Sequence, residues 1–202
     1  MQIKNLTDMK NGLKEQYDKK IVPALEKELE IKNKHALPSV QKVVVNVGLG
    51  RASQTATFGD KILPEIIKEL ATITGQKPAI AAAKKSIAGF KLRQGQAIGL
   101  KVILRGKRMY DFVDRLVKMV YPRVRDFRGI DLKNVDKDGN LNLGLKDHFV
   151  FAEISQEMAS VDFGLQITLV TKTRSRQDAI VLFKHLGFLF KAEKGAKDKK
   201  RQ

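Results

Sequence analysis

Apolar positions recur along this chain with two periods. Leu6, Met9, Leu13, Tyr17, Ile21, Leu25 and Leu29 follow one another at the three-to-four spacing that lines one face of an α-helix. Pro23 should kink or restart that helix, because proline lacks the amide hydrogen and crowds the preceding turn. Residues 40–47 change to a period of two, with Val43, Val45 and Val47 on one side and Lys42, Val44 and Asn46 on the other, which predicts a strand with one face in the core. Ile62, Leu63, Ile66, Ile67, Leu70 and Ile73 predict a second helix, closed by Gly75 in a left-handed cap and broken by Pro78. Residues 79–86 read as extended or loop, and 97–105 as a strand that turns Ile98, Leu100, Val102 and Leu104 one way and Lys101, Ile103 and Arg105 the other. A third helix carries Met109, Phe112, Val113, Leu116, Val117 and Val120 and should end near Pro122. Strands are expected over 143–151 and 164–173, the latter separating Leu165, Ile167 and Leu169 from Gln166, Thr168 and Val170. Ser175-x-x-Asp178 opens a last helix through Ala179, Leu182, Phe183 and Leu186, and Gly187 stops it.

Charge changes the picture. Lys and Arg outnumber Asp and Glu by 39 to 22, a net charge of +17. The excess is concentrated: residues 70–110 contain no acid, yet carry Lys77, Lys84, Lys85, Lys91, Arg93, Lys101, Arg105, Lys107 and Arg108 between apolar positions that must fold. A segment that packs and still presents one sign of charge points to a polyanion partner. Within it, residues 84–96 form a connection longer than the two to five residues of ordinary hairpins, with Gly89, Gly95 and the aromatic Phe90, and so make a candidate binding loop. Arg123, Arg125 and Arg128 form a second basic cluster. Asp131, Asp136 and Asp138 gather acid in a loop over 131–142.

The composition, 43% hydrophobic over 202 residues, can bury a real core, and one domain over 1–190 followed by a basic tail, 191–202, fits the length. No apolar run approaches the roughly 18 residues of a membrane span, there is no cysteine, and the first residues lack a secretory apolar region; a cytoplasmic protein without membrane attachment is expected.

Three motifs imitate chemistry and fall short. Gly48-Leu49-Gly50 follows a strand, but Ser53 stands at the third glycine position of a dinucleotide loop, and Lys68 and Glu69 lie in a helical pattern where an acidic strand end belongs. Asn134-x-Asp136-x-Asp138-Gly139 opens like a calcium loop, but the twelfth position is Leu145 and cannot supply the bidentate carboxylate, so Asp138-Gly139 reads as a turn. His35, His148 and His185 have no ligand spacing and read as structural. No catalytic constellation, metal site or cofactor is indicated. Asn46, in the middle of a valine run, is either an internal hydrogen-bonding residue or a reader of bases on an exposed sheet face.

Four blocks in order are familiar. Pro38 and the run Gln41–Gly50, Ile73–Pro78, Ala83–Arg93 and Tyr121–Gly129 resemble the large-subunit ribosomal protein family that carries 5S ribosomal RNA, universal family number five, in its bacterial form; Phe151–Ile154 and Leu186–Phe190 resemble its C-terminal half. The resemblance implies an α+β fold, a mostly antiparallel sheet with helices packed on one face and a basic loop between two strands. It implies a place in the central protuberance of the ribosome and, as partners, 5S rRNA, 23S-type rRNA, neighbouring large-subunit proteins, P-site tRNA and a small-subunit head protein. The family's 5S-binding polar residues carry over to Asn46 and Gln76, and its basic loop to Lys84, Lys85, Ser86, Phe90, Lys91 and Arg93. Lys42, Lys101 and Arg105 on the uncovered sheet face, Lys77, and Arg123, Arg125 and Arg128 are then expected on rRNA, with Asp131, Asp136 and Asp138 at the intersubunit bridge. Ile103 replaces the family's usual Thr, removing a hydroxyl contact, and Ala152 replaces its usual Pro.

Overall fold

The computed structural model describes residues 12–31, 33–55, 57–154, 161–173 and 175–191. Leu6 and Met9 of the first expected stripe, and all of the expected tail beyond Lys191, lie outside the described residues. Five strands, β1 (Ser39–Gly48), β2 (Ala79–Ala82), β3 (Ala97–Leu104), β4 (Leu141–Leu145) and β5 (Leu165–Lys172), form one sheet in the order β2-β3-β1-β5-β4. Every neighbouring pair is antiparallel. Among the described residues four helices, α1 (residues 13–28), α2 (58–74), α3 (106–123) and α4 (Arg176–His185), complete an α+β architecture.

The valine run explains why β1 takes the centre. Val43, Val45 and Val47 are buried, as are their partners Leu104, Val102 and Leu100 on β3 and Leu169 and Ile167 on β5. Along this parity every strand of the central three turns branched or aliphatic side chains to the helices, while the other parity remains accessible. A bulge between Val40 and Lys42 inserts one residue, so Val40 and Val43 both reach the core despite their odd separation. Phe112 of α3 and Phe183 of α4 are fully buried on the helical side, and Phe112 stacks on Phe151 with centroids 6.1 Å apart. Tyr17 of α1 donates its hydroxyl to the Pro38 carbonyl at 3.1 Å, tying the first helix to the approach to β1; burial pushes its phenol up to about 12.

Pro23, where the sequence suggests a kink or restart, and two further prolines stand within helices at the same place relative to a widened turn. Pro23, Pro64 and Pro122 each stand two residues after a π turn, at Tyr17–Ile21, Phe58–Ile62 and Leu116–Val120. In each, an amide bonds five residues back: Val22 to Tyr17, Leu63 to Phe58, and Tyr121 to Leu116. Widening the turn moves the carbonyl that the pyrrolidine ring would strike, so the helix continues through the proline. The third helix runs to Arg123 and so ends beside Pro122, as its sequence pattern implies.

One strand differs from its expected span. β4 occupies Leu141–Leu145, not 143–151. Alternation holds over Leu141, Leu143 and Leu145, all buried, and is lost after Lys146, where His148–Val150 forms a 3-10 turn. That turn buries His148 between Phe149 and Phe163, with the Phe163 ring 4.0 Å away and parallel to within 7°. His185 bonds Glu28 at 2.7 Å, so two of the three histidines have structural partners, while His35 is exposed in the Asn33-capped turn, where its backbone amide donates to the Asn33 side chain. Gly75 and Gly187 close α2 and α4 with positive φ, and the Ser175 hydroxyl accepts from the Asp178 amide, as their sequence pattern implies.

Candidate nucleic-acid interface

The uncovered face of the sheet is a shallow concavity of about 630 Å³. Strand register sets its chemistry in rows across the strands. Lys101 of β3 pairs with Asn46 of β1, and Asn46 pairs with Gln166 of β5. The adjacent row places Ile103 beside Val44, Val44 beside Thr168, and Thr168 beside Asn142. Lys42 and Arg105 extend the accessible parity toward the other end of β1 and β3. Val43, Val45, Leu100 and Val102, which point to the core, fix these residues outward, since a one-residue slip would exchange the faces.

Asn46 makes no side-chain hydrogen bond among the described residues, and Lys101 has no ion-pair partner among them. Strand asparagine is disfavoured unless its amide is used, and here nothing inside the described protein uses it. Gln76 follows Gly75 at the exit of α2; its backbone carbonyl accepts from the Thr74 hydroxyl at 3.0 Å, while its side-chain amide has no partner among the described residues. Lys77 follows, exposed, and leads into β2, whose Ala79 pairs with Lys101. The helix cap therefore delivers Gln76 and Lys77 to the edge of the sheet.

The basic loop is built rather than merely long. The Ala83 amide donates to the Gln96 carbonyl at 2.8 Å and the Gly95 amide to the Ala83 carbonyl at 2.9 Å, closing its base. Ile87 and Leu92 form a bridge around the 3-10 turn Ala88–Phe90, and the Gln94 amide donates to the Ser86 hydroxyl at 2.9 Å. Two glutamine amides pin the loop to the turn after β1: Gln96 donates to the Ser53 carbonyl at 2.7 Å and Gln54 to the Phe90 carbonyl at 3.2 Å. Lys84, Lys85, Lys91 and Arg93 are exposed without an ion-pair partner among the described residues, and Phe90 is 66% exposed. An aromatic ring held in water on a cationic loop suits stacking on a nucleobase.

Residues 33–93 match the family "Ribosomal protein L5", and residues 97–190 match the C-terminal model of the same ribosomal protein family. The chain is 45% identical over 184 residues to the "Large ribosomal subunit protein uL5" of Trichodesmium erythraeum, spanning 91% of this chain and 99% of that protein. It is 49% identical over 179 residues to the protein of the same name from Bifidobacterium adolescentis, covering 89% of this chain and 92% of the relative. The chain belongs to the ribosomal protein L5 family. It is a large-subunit ribosomal protein of the cytoplasmic ribosome and not an enzyme.

Two further groups of this L5-family chain lie off the sheet face. Arg123, Arg125 and Arg128 are exposed on the segment that ends α3, packed on the chain after α4: Tyr121 lies 4.7 Å from Phe127 and 6.1 Å from Phe188, and the Ile130 amide donates to the Leu189 carbonyl at 2.7 Å. These arginines present charge from the helical layer, apart from the Lys101–Asn46 row. In the acidic loop, Asp131 caps a 3-10 turn by accepting from the Lys133 amide at 3.0 Å. Asp136 is committed to its own turn, accepting from the Asn140 amide and side chain at 2.6 and 2.9 Å. Asp138 is exposed, and Gly139 takes a φ of +79°, where a Cβ would collide with the Thr173 hydroxyl. The turn reading of Asp138-Gly139 is what the backbone shows.

Gln54 and Gln96 hold the candidate binding loop and are positions that the sequence pattern does not reveal. Their partners lie 36 and 43 residues away, so no local spacing marks them as the staples of the loop.

Proposed function

We propose that this protein attaches 5S rRNA to the large subunit in the central protuberance, with its open sheet face and the Gln76–Lys77 exit on the RNA. The basic loop 84–93 reaches P-site tRNA, Arg123, Arg125 and Arg128 hold 23S-type rRNA phosphates, and the 131–142 loop faces a small-subunit head protein. The observation that carries the reading is the row of Lys101 and Asn46, a cation and an amide side by side on an accessible sheet with no partner among the described residues. Phosphate contacts hold any nucleic acid, whereas an amide that donates and accepts can distinguish ribose and base groups.

Asn46→Ala is therefore expected to weaken binding of 5S rRNA by about 1–3 kcal/mol, the cost of a partner left unpaired, and to change binding of an unrelated structured RNA far less. Lys101→Ala should weaken both to the same extent. Filter binding with the two RNAs, alongside a melting curve for each variant, tests this; equal losses for both RNAs in Asn46→Ala would reduce the residue to a brace of β1.

For the acidic loop, Asp138 is the residue to reverse, because Asp131 caps the 3-10 turn before it and Asp136 holds its own turn. Asp138→Lys should impair joining of the two ribosomal subunits in sedimentation and leave 5S rRNA binding intact. Loss of 5S rRNA binding in that variant would place the loop on RNA instead.

A further inference from the structure

Two neighbouring rows on the open sheet face differ in how their polar groups are satisfied. In one, Thr168 and Asn142 consume each other, the threonine hydroxyl donating to the asparagine oxygen at 2.8 Å, and the rest of the row is Ile103 and Val44. In the other, Lys101, Asn46 and Gln166 stand on three adjacent strands, and neither amide side chain has a hydrogen-bond partner among the described residues. Gln166 is exposed, and its partner on the edge strand is Gly144, which has no side chain to cover it. All three line the same concavity.

We propose that Gln166 is a third RNA-reading residue, and that an RNA strand crosses the sheet at right angles to β3, β1 and β5 along Lys101, Asn46 and Gln166. The proposal rests on the reading of this face as the rRNA surface and adds a residue, a direction and a ligand group. Adjacent strands lie about 4.8 Å apart, so the three side chains span about 10 Å, the scale of successive nucleotides rather than of one base. Lys101 supplies a point charge suited to phosphate. Each amide offers two N–H donors and a carbonyl acceptor, which matches the ribose 2′-hydroxyl, itself donor and acceptor and the group that separates RNA from DNA.

The test measures binding of 5S rRNA, of an unrelated structured RNA and of a DNA copy of the 5S sequence to the full chain and to Gln166→Ala, Gln166→Glu and Lys172→Gln. Lys172 shares the open parity of β5 at its far end, opposite Ser39, and Lys172→Gln lowers the net charge by one, as Gln166→Glu does. Gln166→Ala is expected to weaken 5S rRNA binding roughly tenfold while leaving the unrelated RNA and the DNA within about twofold. Gln166→Glu should weaken 5S rRNA binding at least about tenfold more than Lys172→Gln, because its carboxylate would meet the RNA directly rather than through the general field. Wild-type affinity in Gln166→Ala, or equal effects of Gln166→Glu and Lys172→Gln, overturns the proposal. If Asn46→Ala and Lys101→Ala lower affinity in the same assay, that failure belongs to Gln166 alone; if they too are silent, the reading of the whole face falls with it. A lowered melting temperature with equal losses for all three ligands would assign Gln166 to the sheet's stability and likewise overturn it.

Discussion

Raising the salt concentration from 50 to 200 mM is expected to weaken binding of this protein to RNA about a thousandfold. The expectation follows from cations that have no other occupation. Residues 70–110 carry nine Lys and Arg and no acid, and none of the nine has an ion-pair partner among the described residues. The fold holds them in place: Lys101 on a central strand, Lys84 to Arg93 on a loop closed at its base, Lys77 at a helix cap. Each phosphate they neutralise releases condensed counterions, so the logarithm of affinity falls linearly with the logarithm of salt. With about six phosphates engaged, a fourfold rise in salt costs on the order of a thousandfold. Titrations at several salt concentrations give the slope directly, and a drop of less than about tenfold would mean that shape and hydrogen bonding, not phosphate, hold the complex.

The largest loss of stability from a single substitution is expected at Phe112. Its ring is fully buried on the inner face of α3 and stacks on Phe151, and the Arg115 guanidinium lies 5.9 Å from its centroid. Arg115 in turn donates to the Ile73 carbonyl at 2.9 Å and pairs with Glu153, so the helix, the end of α2 and the segment after β4 meet around one ring. Phe112→Ala leaves a cavity that surrounding strands cannot collapse to fill and should cost about 3–5 kcal/mol. A domain of this kind has only about 5–15 kcal/mol in total, so urea denaturation should show a midpoint lowered by roughly a fifth or more at unchanged slope. A loss below about 1 kcal/mol would show that Phe151 and its neighbours close over the gap.

The sheet was legible because its two faces meet different surroundings. Val43, Val45 and Val47 against Lys42, Val44 and Asn46 is a pattern that only a strand with one covered face produces, and the same holds for β3 and β5. The helix caps at Gly75, Ser175 and Gly187 were legible because each uses a residue type that its backbone geometry demands. The end of β4 was not, because Phe149, Val150 and Phe151 are residue types that favour strands, yet they follow the polar Lys146 and Asp147 into a turn that buries His148 and Phe151 instead of lining the sheet. At the interface, outward parity identified Lys101 and Asn46, but parity alone ranks Gln166 no higher than Thr168. Only register, which puts Gln166 beside Asn46 and Thr168 beside Asn142, separates a free amide from a satisfied hydroxyl.

The π turns have a bearing on how chain length can vary in this fold. A π turn holds one residue more than the α turn it replaces, and the residue is absorbed locally, so the apolar stripe resumes on the same face after it. Tyr17 and Ile21 are both buried across the first such turn, and Leu116 and Val120 across the third. Each helix thus carries one residue beyond an α-helical count at the turn before its proline without rotating the rest of its length out of the core. Pro23, Pro64 and Pro122 mark the three places where an insertion of one is already accommodated, with the ring sitting against the widened turn.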